Sequence, residues 1–150
     1  MGEKIQDIQI VSIKMVKEKT LQQQYGSKIS SPRDTVEVFR KFIGDYDREV
    51  VALMSLNTKN KINALTIVSI GDLNTSIVHP REVFKMAILS NSCSIIICHN
   101  HPSGDPLPSK EDINISIRMK ECGKLLGIEL LDHIILGDEE YTSLKERGIL

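Results

Sequence analysis

Two histidines and an aspartate stand close together in the polar stretch ICHNHPSGDPLPSKED, which spans residues 97–112. The short apolar run SIIIC leads into them and is typical of a strand that is covered on both faces. If His99 and His101 continue that strand, their side chains share a face, because strand side chains alternate with a period of two. Two imidazoles could then bind one metal ion.

A third metal ligand could come from Asp112, because Ser109 can cap a helix that carries this aspartate in its first turn. Two nitrogens, one carboxylate and a free position make the ligand set of a catalytic zinc ion. Such an ion lowers the pKa of bound water from about 15.7 towards ~7, so hydrolysis can run at neutral pH. A separate general base is needed. Glu49, which opens a predicted strand, and Glu82, in the first turn of a predicted helix, are the candidates, and spacing alone does not choose between them.

Other interpretations of these residues stay open. Ser109 and Asp112 by themselves describe an ordinary helix cap. Cys93 and Cys98 suggest a structural zinc site with the histidines, yet Cys98 and His99 are consecutive on a strand and should point to opposite faces. Two histidines and a carboxylate also describe the facial triad of Fe(II) oxygenases. A nucleobase deaminase would carry His-x-Glu and Pro-Cys-x-x-Cys motifs, which this sequence lacks.

Three further polar residues are not expected to bind the ion. Asn100, between the two histidines, should face away from the metal and hold the loop. Asp105 is expected to serve as a turn residue or to orient an imidazole. His133, which has apolar neighbours in a predicted strand, is expected to be a packed, hydrogen-bonded core residue.

The rest of the sequence predicts the elements that position these residues. Caps, helical spacing and β-prone runs indicate the order strand, helix, hairpin, helix, strand, helix, strand. We therefore predict an α/β domain with a mixed β-sheet flanked by helices. Residues 1–28 are expected to be an amino-terminal strand and connector packed on the same domain as residues 29–150. The predicted strands are 8–16, 49–57, 62–71, 94–98 and 128–136, and the predicted helices are 31–43, 80–91 and 109–126.

Length and composition narrow the function classes. The chain has 150 residues, of which 41% are hydrophobic and 26% charged, as expected for one globular core. A net charge of -1 without a clustered basic patch argues against direct binding of nucleic acid. The first residues do not resemble a secretion signal, and no apolar run approaches the ~18 residues of a membrane helix. Together with three cysteines, an odd number, this predicts a cytoplasmic protein with reduced thiols and no membrane partner.

The sequence resembles RadC-type proteins, a branch of the JAMM/MPN+ metallopeptidase superfamily. In that superfamily a distant glutamate is followed by His-x-His, ten residues and an aspartate, with a serine three residues before the aspartate. Longer RadC proteins carry a helix-hairpin-helix segment before this domain, and this chain is expected to be a short form without it. The resemblance is carried by HNHPSGD at 99–105, Pro108-Ser109, Asp112, HPREVF at 79–84 and LDHIIL at 131–136.

The resemblance implies a fold similar to that of the cytidine deaminases and a zinc-dependent metallopeptidase or isopeptidase acting on a peptide or protein. It implies that His99, His101 and Asp112 bind Zn²⁺, that Glu49 is the general base and that Ser109 helps to stabilise the oxyanion. The alternative is a non-catalytic interaction module that retains the metal. A role in DNA repair has weak support, and the sequence leaves open whether the protein forms a homo-oligomer.

Overall fold

The computed structural model describes residues 2–23, 27–71 and 78–150. Three helices and five strands lie in these residues. The strands form one sheet in the order β2-β1-β3-β4-β5. The elements are α1 (Pro32–Ile43), β1 (Val50–Leu56), β2 (Ile62–Ile70), α2 (Pro80–Leu89), β3 (Ser94–Asn100), α3 (Lys110–Leu126), β4 (Glu129–Leu136) and β5 (Tyr141–Ser143).

The sheet is mixed, as predicted. β1 is antiparallel to both β2 and β3, β3 runs parallel to β4, and β5 returns antiparallel to β4. Alternating side chains of the central strands fill two apolar clusters, one on each face of the sheet. α1 belongs to the first cluster, and α2 and α3 belong to the second. The α/β class and the flanking helices are therefore confirmed.

Local signals in the sequence explain where the helices start and end. Ser31 and Ser109 each form a capping box with an aspartate three residues later, which satisfies backbone N–H groups that the first turn leaves unpaired. Gly127 ends α3 in the left-handed conformation, with φ 70°, which glycine adopts without steric cost. The Ser109 cap fixes the residue at which α3 starts.

The strand predicted over residues 8–16 is wrong. The described residues 2–23 form no helix or strand, and the side chains of residues 8–16 are exposed. Their β-prone composition describes a segment suited to a sheet, but a strand also needs a neighbouring edge to pair with. β5, only three residues long, was not predicted, because its pattern is too short to distinguish from a turn. The division of the chain at residue 28 stays a prediction.

None of the helices in the described ranges has the length and apolar content needed to cross a bilayer.

Candidate metal centre

Three separate parts of the chain meet at one end of the central strands. Val51 of β1 pairs with His99 of β3 in the antiparallel register. Continuing this register by two residues brings Glu49 to the position opposite His101. α3 starts next to this edge and contributes Asp112 from its first turn. The candidate ligand atoms of Glu49, His99, His101 and Asp112 all lie within 4.8 Å of one another, a grouping that could hold a metal ion.

The distances separate three inner groups from one outer group. The two histidine Nε2 atoms are 2.9 Å apart. The Asp112 carboxylate lies 3.3 Å from Nε2 of His99 and 3.4 Å from Nε2 of His101. Ligand atoms bonded tetrahedrally at 2.0–2.1 Å stand about 3.3 Å from each other, so these three groups fit around one ion. Glu49 Oε1 is farther out, 3.9 Å from Nε2 of His99.

The hydrogen bond made by His101 fixes which of its nitrogens faces the centre. Its Nδ1 lies 2.8 Å from the backbone carbonyl oxygen of Asp105. A carbonyl oxygen only accepts, so Nδ1 carries the proton and the lone pair of Nε2 is free. The predicted orienting role of Asp105 is thus performed by its main chain. Its carboxylate instead accepts a hydrogen bond from the Leu107 amide, at 3.0 Å.

A longer relay assigns the same tautomer to His99. The Ser116 hydroxyl lies 2.6 Å from the carbonyl oxygen of Asp112, which can only accept, so the hydroxyl proton points there. Ser116 Oγ must then accept the Nδ1 proton of His133. Nε2 of a neutral His133 in turn accepts the Nδ1 proton of His99, at 2.7 Å. His99 is left with its Nε2 lone pair directed at the centre.

The Nε2 atoms of His99 and His101 are 2.9 Å apart, and their lone pairs point at each other. These lone pairs repel each other unless a cation or a proton lies between them. The main-chain carbonyls of Asp105 and Asp112, acting directly or through the relay, leave Nε2 of both imidazoles unprotonated and facing the centre, the state that metal binding requires. His133 is buried, as expected from the sequence, but it touches His99 directly. The sequence analysis missed this connection, because residues 34 apart in the chain meet only through the parallel pairing of β3 and β4.

The pKa values of the metal-free site follow from these contacts. The hydrogen bond to Asp112 raises the pKa of His101. Burial acts to raise the pKa of Asp112, but hydrogen bonds with His101 and His99 outweigh burial and hold that pKa well below its ordinary value. Burial lowers the pKa of His133 well below the ordinary histidine value. An anionic aspartate thus faces the His101 imidazole, which takes up a proton more readily than an ordinary histidine does.

These shifts predict how the stability of the metal-free protein depends on pH. His101 has a raised pKa in the folded state, so its contribution is complete below about pH 6.5 and is lost as the pH rises through its folded pKa. His133 has a lowered pKa in the folded state, so it stays neutral there while the unfolded chain takes up a proton at this position. The protein therefore loses stability as the pH falls below about 6.5. The free energy of unfolding, measured with urea in chelator, should peak near about pH 6.5, with slopes of at most ~1.4 kcal/mol per pH unit for each group.

His101→Gln is the matched variant for this pH experiment, since it should remove the loss of stability on the alkaline side and leave the acidic side in place. A wild-type profile that has a minimum near neutral pH would contradict the assignment of these two histidines.

Asn100 connects the histidine strand to the segment that carries Glu49. Its Oδ1 accepts a hydrogen bond from the Val50 amide at 2.7 Å, and its Nδ2 donates to the Arg48 carbonyl at 3.0 Å. The two bonds flank Glu49 on both sides. The side chain of Asn100 therefore faces away from the imidazoles, as expected, and holds the backbone of the acid that lies beside them.

The remaining site candidates lie as follows. Ser109 Oγ accepts a hydrogen bond from the Asp112 amide at 3.1 Å, and the Ser109 amide donates to Asp112 Oδ2 at 2.7 Å. Asp112 therefore serves the helix cap and the ligand group together. Glu82 lies on α2, 3.1 Å from Lys85, and is not a member of the ligand cluster. Cys98 is fully buried in the core, and burial raises its pKa well above the ordinary thiol value.

The site is open on one side. His99 is only 3% exposed, whereas the side chains of His101, Asp112 and Glu49 are 18%, 14% and 21% exposed. A cleft beside His101 is lined by Arg40, Tyr46 and Asp138, among others. The Arg40 guanidinium donates to three main-chain carbonyls of residues 137, 138 and 140, which fixes the far wall of that cleft. Solvent can therefore reach the candidate ligands.

Comparison with known proteins gives one consistent result. Residues 29–149 match the family described as RadC-like JAB domain. A UPF0758 protein of Clostridium beijerinckii is 55% identical over 123 residues, which cover 82% of this chain and 54% of the relative. A UPF0758 protein of Clostridium botulinum strain Hall is 56% identical over 123 residues, which again cover 82% of this chain and 54% of the relative. The chain thus spans about half the length of the curated relatives it matches.

Proposed function

Because the chain belongs to the RadC-like JAB domain family, we propose that it is a zinc-dependent hydrolase that cleaves peptide or isopeptide bonds. One observation carries the proposal: two imidazole lone pairs and a carboxylate converge, with a second carboxylate 3.9 Å from the nearer histidine nitrogen. A site that only held a metal for structural reasons would be closed by its ligands. Here the fourth group, Glu49, lies farther from His99 than Asp112 does, and the site is open to solvent.

His99, His101 and Asp112 would hold Zn²⁺. When bound, the ion supplies an acidified water and polarises the carbonyl of the scissile bond. Glu49 Oε1 takes the proton of the attacking water and later delivers it to the leaving nitrogen. The Ser109 hydroxyl, whose oxygen already accepts the Asp112 amide, has its own proton free to donate to the oxyanion.

Asn100 has a positioning role in this proposal. Its two hydrogen bonds, to Val50 and Arg48, keep the Glu49 backbone fixed relative to the histidine strand. A general base must stay within hydrogen-bond reach of its proton, so a loose backbone here would reduce the rate.

We also propose that the substrate is a peptide or protein and that the protein acts in the cytoplasm. The proposal includes no direct contact with nucleic acid and no membrane partner.

Metal analysis combined with a hydrolysis assay tests the proposal. Protein purified without added metal should contain about one zinc per chain, with three protein ligands. Cleavage of a panel of peptides and lysine-linked isopeptides should stop on chelation and return when zinc is restored. Iron in a six-coordinate site would favour the oxygenase interpretation. A zinc ion enclosed by four protein ligands, with no cleavage, would favour the non-catalytic interaction module.

A further inference from the structure

The segment formed by residues 8–16, IQIVSIKMV, carries unusual apolar exposure. Ile8, Ile10, Ile13 and Val16 are 88%, 99%, 74% and 76% exposed. Isolated surface hydrophobics are normal, but six exposed apolar side chains among nine residues mark a surface that binds a partner. The segment is also rich in β-branched residues, which suit a strand. It has the composition of a strand, and within the described residues it pairs with no other strand.

β2 presents the complementary feature, a long uncharged strand at the edge of the sheet. It is nine residues long, and its sequence INALTIVSI contains no charged residue and no proline. Natural sheets normally guard their edges with charges, prolines, bulges or very short strands. Of these devices, β2 has only two register shifts in its pairing with β1. The opposite edge, β5, is protected in this way by its length of three residues. Beyond Ile62, whose amide donates to the Ser27 carbonyl, no described residue pairs with the outer side of β2.

We propose that residues 8–16 of one copy pair as an added strand along β2 of a second copy, and that mutual exchange forms a symmetric dimer. Both faces of the added strand are apolar: Val11, Ile13 and Met15 alternate with Ile8, Ile10 and Val16. β2 matches this pattern, since Leu65 and Ile67 pack on one core cluster and Val68 packs on the other. An added strand would extend both layers.

The existing backbone pairing favours a second copy over the same chain. Lys28 pairs antiparallel with Lys61, and the Ile62 amide donates to the Ser27 carbonyl at 2.8 Å. Continuing that register within one chain would place residues 19–27 along β2, not residues 8–16. Residues 19–23 form no strand there. A second copy brings its segment 8–16 to the edge without displacing the nearer residues, and the exchange closes with two-fold symmetry.

The test measures the mass of the metal-free 150-residue chain in solution across a range of concentrations, together with hydrogen exchange of its amides. The wild type should dimerise, and the amides of residues 8–16 should gain protection as the dimer forms. The double change Ile10→Lys and Ile13→Lys should weaken dimerisation by roughly 100-fold or more, because each isoleucine loses its burial. Ile70→Lys changes an exposed position of β2, the strand that receives the segment, and should also weaken dimerisation.

Leu125→Lys is the matched control, since Leu125 is 89% exposed on α3, and it should dimerise as the wild type does. Thermal unfolding of each variant checks that the core is intact. A monomer whose residues 8–16 exchange freely overturns the proposal. A monomer whose residues 8–16 are protected also overturns it, because the chain would then pair with its own edge. A dimer that is insensitive to the change at Ile10 and Ile13 overturns the choice of segment.

Discussion

Replacing Glu49 with glutamine is expected to slow hydrolysis by orders of magnitude while zinc stays bound. Glu49 Oε1 lies 3.9 Å from His99 Nε2, outside the 3.3 Å that separates Asp112 from the same nitrogen. In the proposed mechanism, this distance suits an acid that takes a proton from the water and does not bind the ion. Glutamine keeps the size of the side chain but cannot take up a proton. The turnover rate should fall by about 10²–10⁴-fold, the usual contribution of a general base.

Turnover and bound zinc are measured on the same samples. Glu82→Gln is the matched control, because Glu82 is the other acid that the sequence offered as a base and it pairs with Lys85 on α2. This variant should retain both turnover and metal. If Glu82→Gln were inactive and Glu49→Gln fully active, the general base would be assigned to the wrong carboxylate. If Glu49→Gln lost zinc, Glu49 would be a ligand.

The two acids also show where sequence reasoning reaches its limit. Strand periodicity places His99 and His101 on one face, and a helix cap places Asp112 at the start of α3, so local rules suffice for these three residues. Glu49 is 50 residues away from His99, and only the antiparallel register of β1 and β3 brings it close. Register depends on the packing of the whole sheet, which a single sequence does not reveal.

The predicted helices and strands are right where the signal is local in sequence and wrong where it is not. α1 and α3 were predictable because capping serines, first-turn acids and a terminal glycine are local signals. The segment 8–16 was assigned to a strand because β propensity is local, whereas the edge that a strand requires is not. The relay through His133 and Ser116 was out of reach for a different reason. It consists of side-chain contacts between β3, β4 and α3, and no spacing along the chain encodes them.

Asp112 performs two tasks, and two substitutions should separate them. Its carboxylate faces both imidazoles and also accepts the Ser109 amide that caps α3. Asp112→Asn removes the charge and keeps an oxygen that can accept the cap bond. Asp112→Ala removes both. Zinc affinity, measured by competition with a chromophoric chelator, should fall by more than about 100-fold in each, because even residues that only support ligands contribute 10–100-fold.

The two variants should differ from each other in the stability of the metal-free protein. Both lose the attraction between Asp112 and His101, so the difference between the two variants isolates the cap, and alanine should be less stable than asparagine by ~1 kcal/mol. The chain supplies its own control in α1, where Asp34 accepts the Ser31 amide at 2.9 Å in an equivalent capping box far along the sequence. Asp34→Ala should lower the free energy of unfolding by a similar amount and leave zinc affinity unchanged. Wild-type zinc affinity in Asp112→Asn would remove the aspartate from the ligand set, because the carboxylate charge is what a ligand in this position must supply.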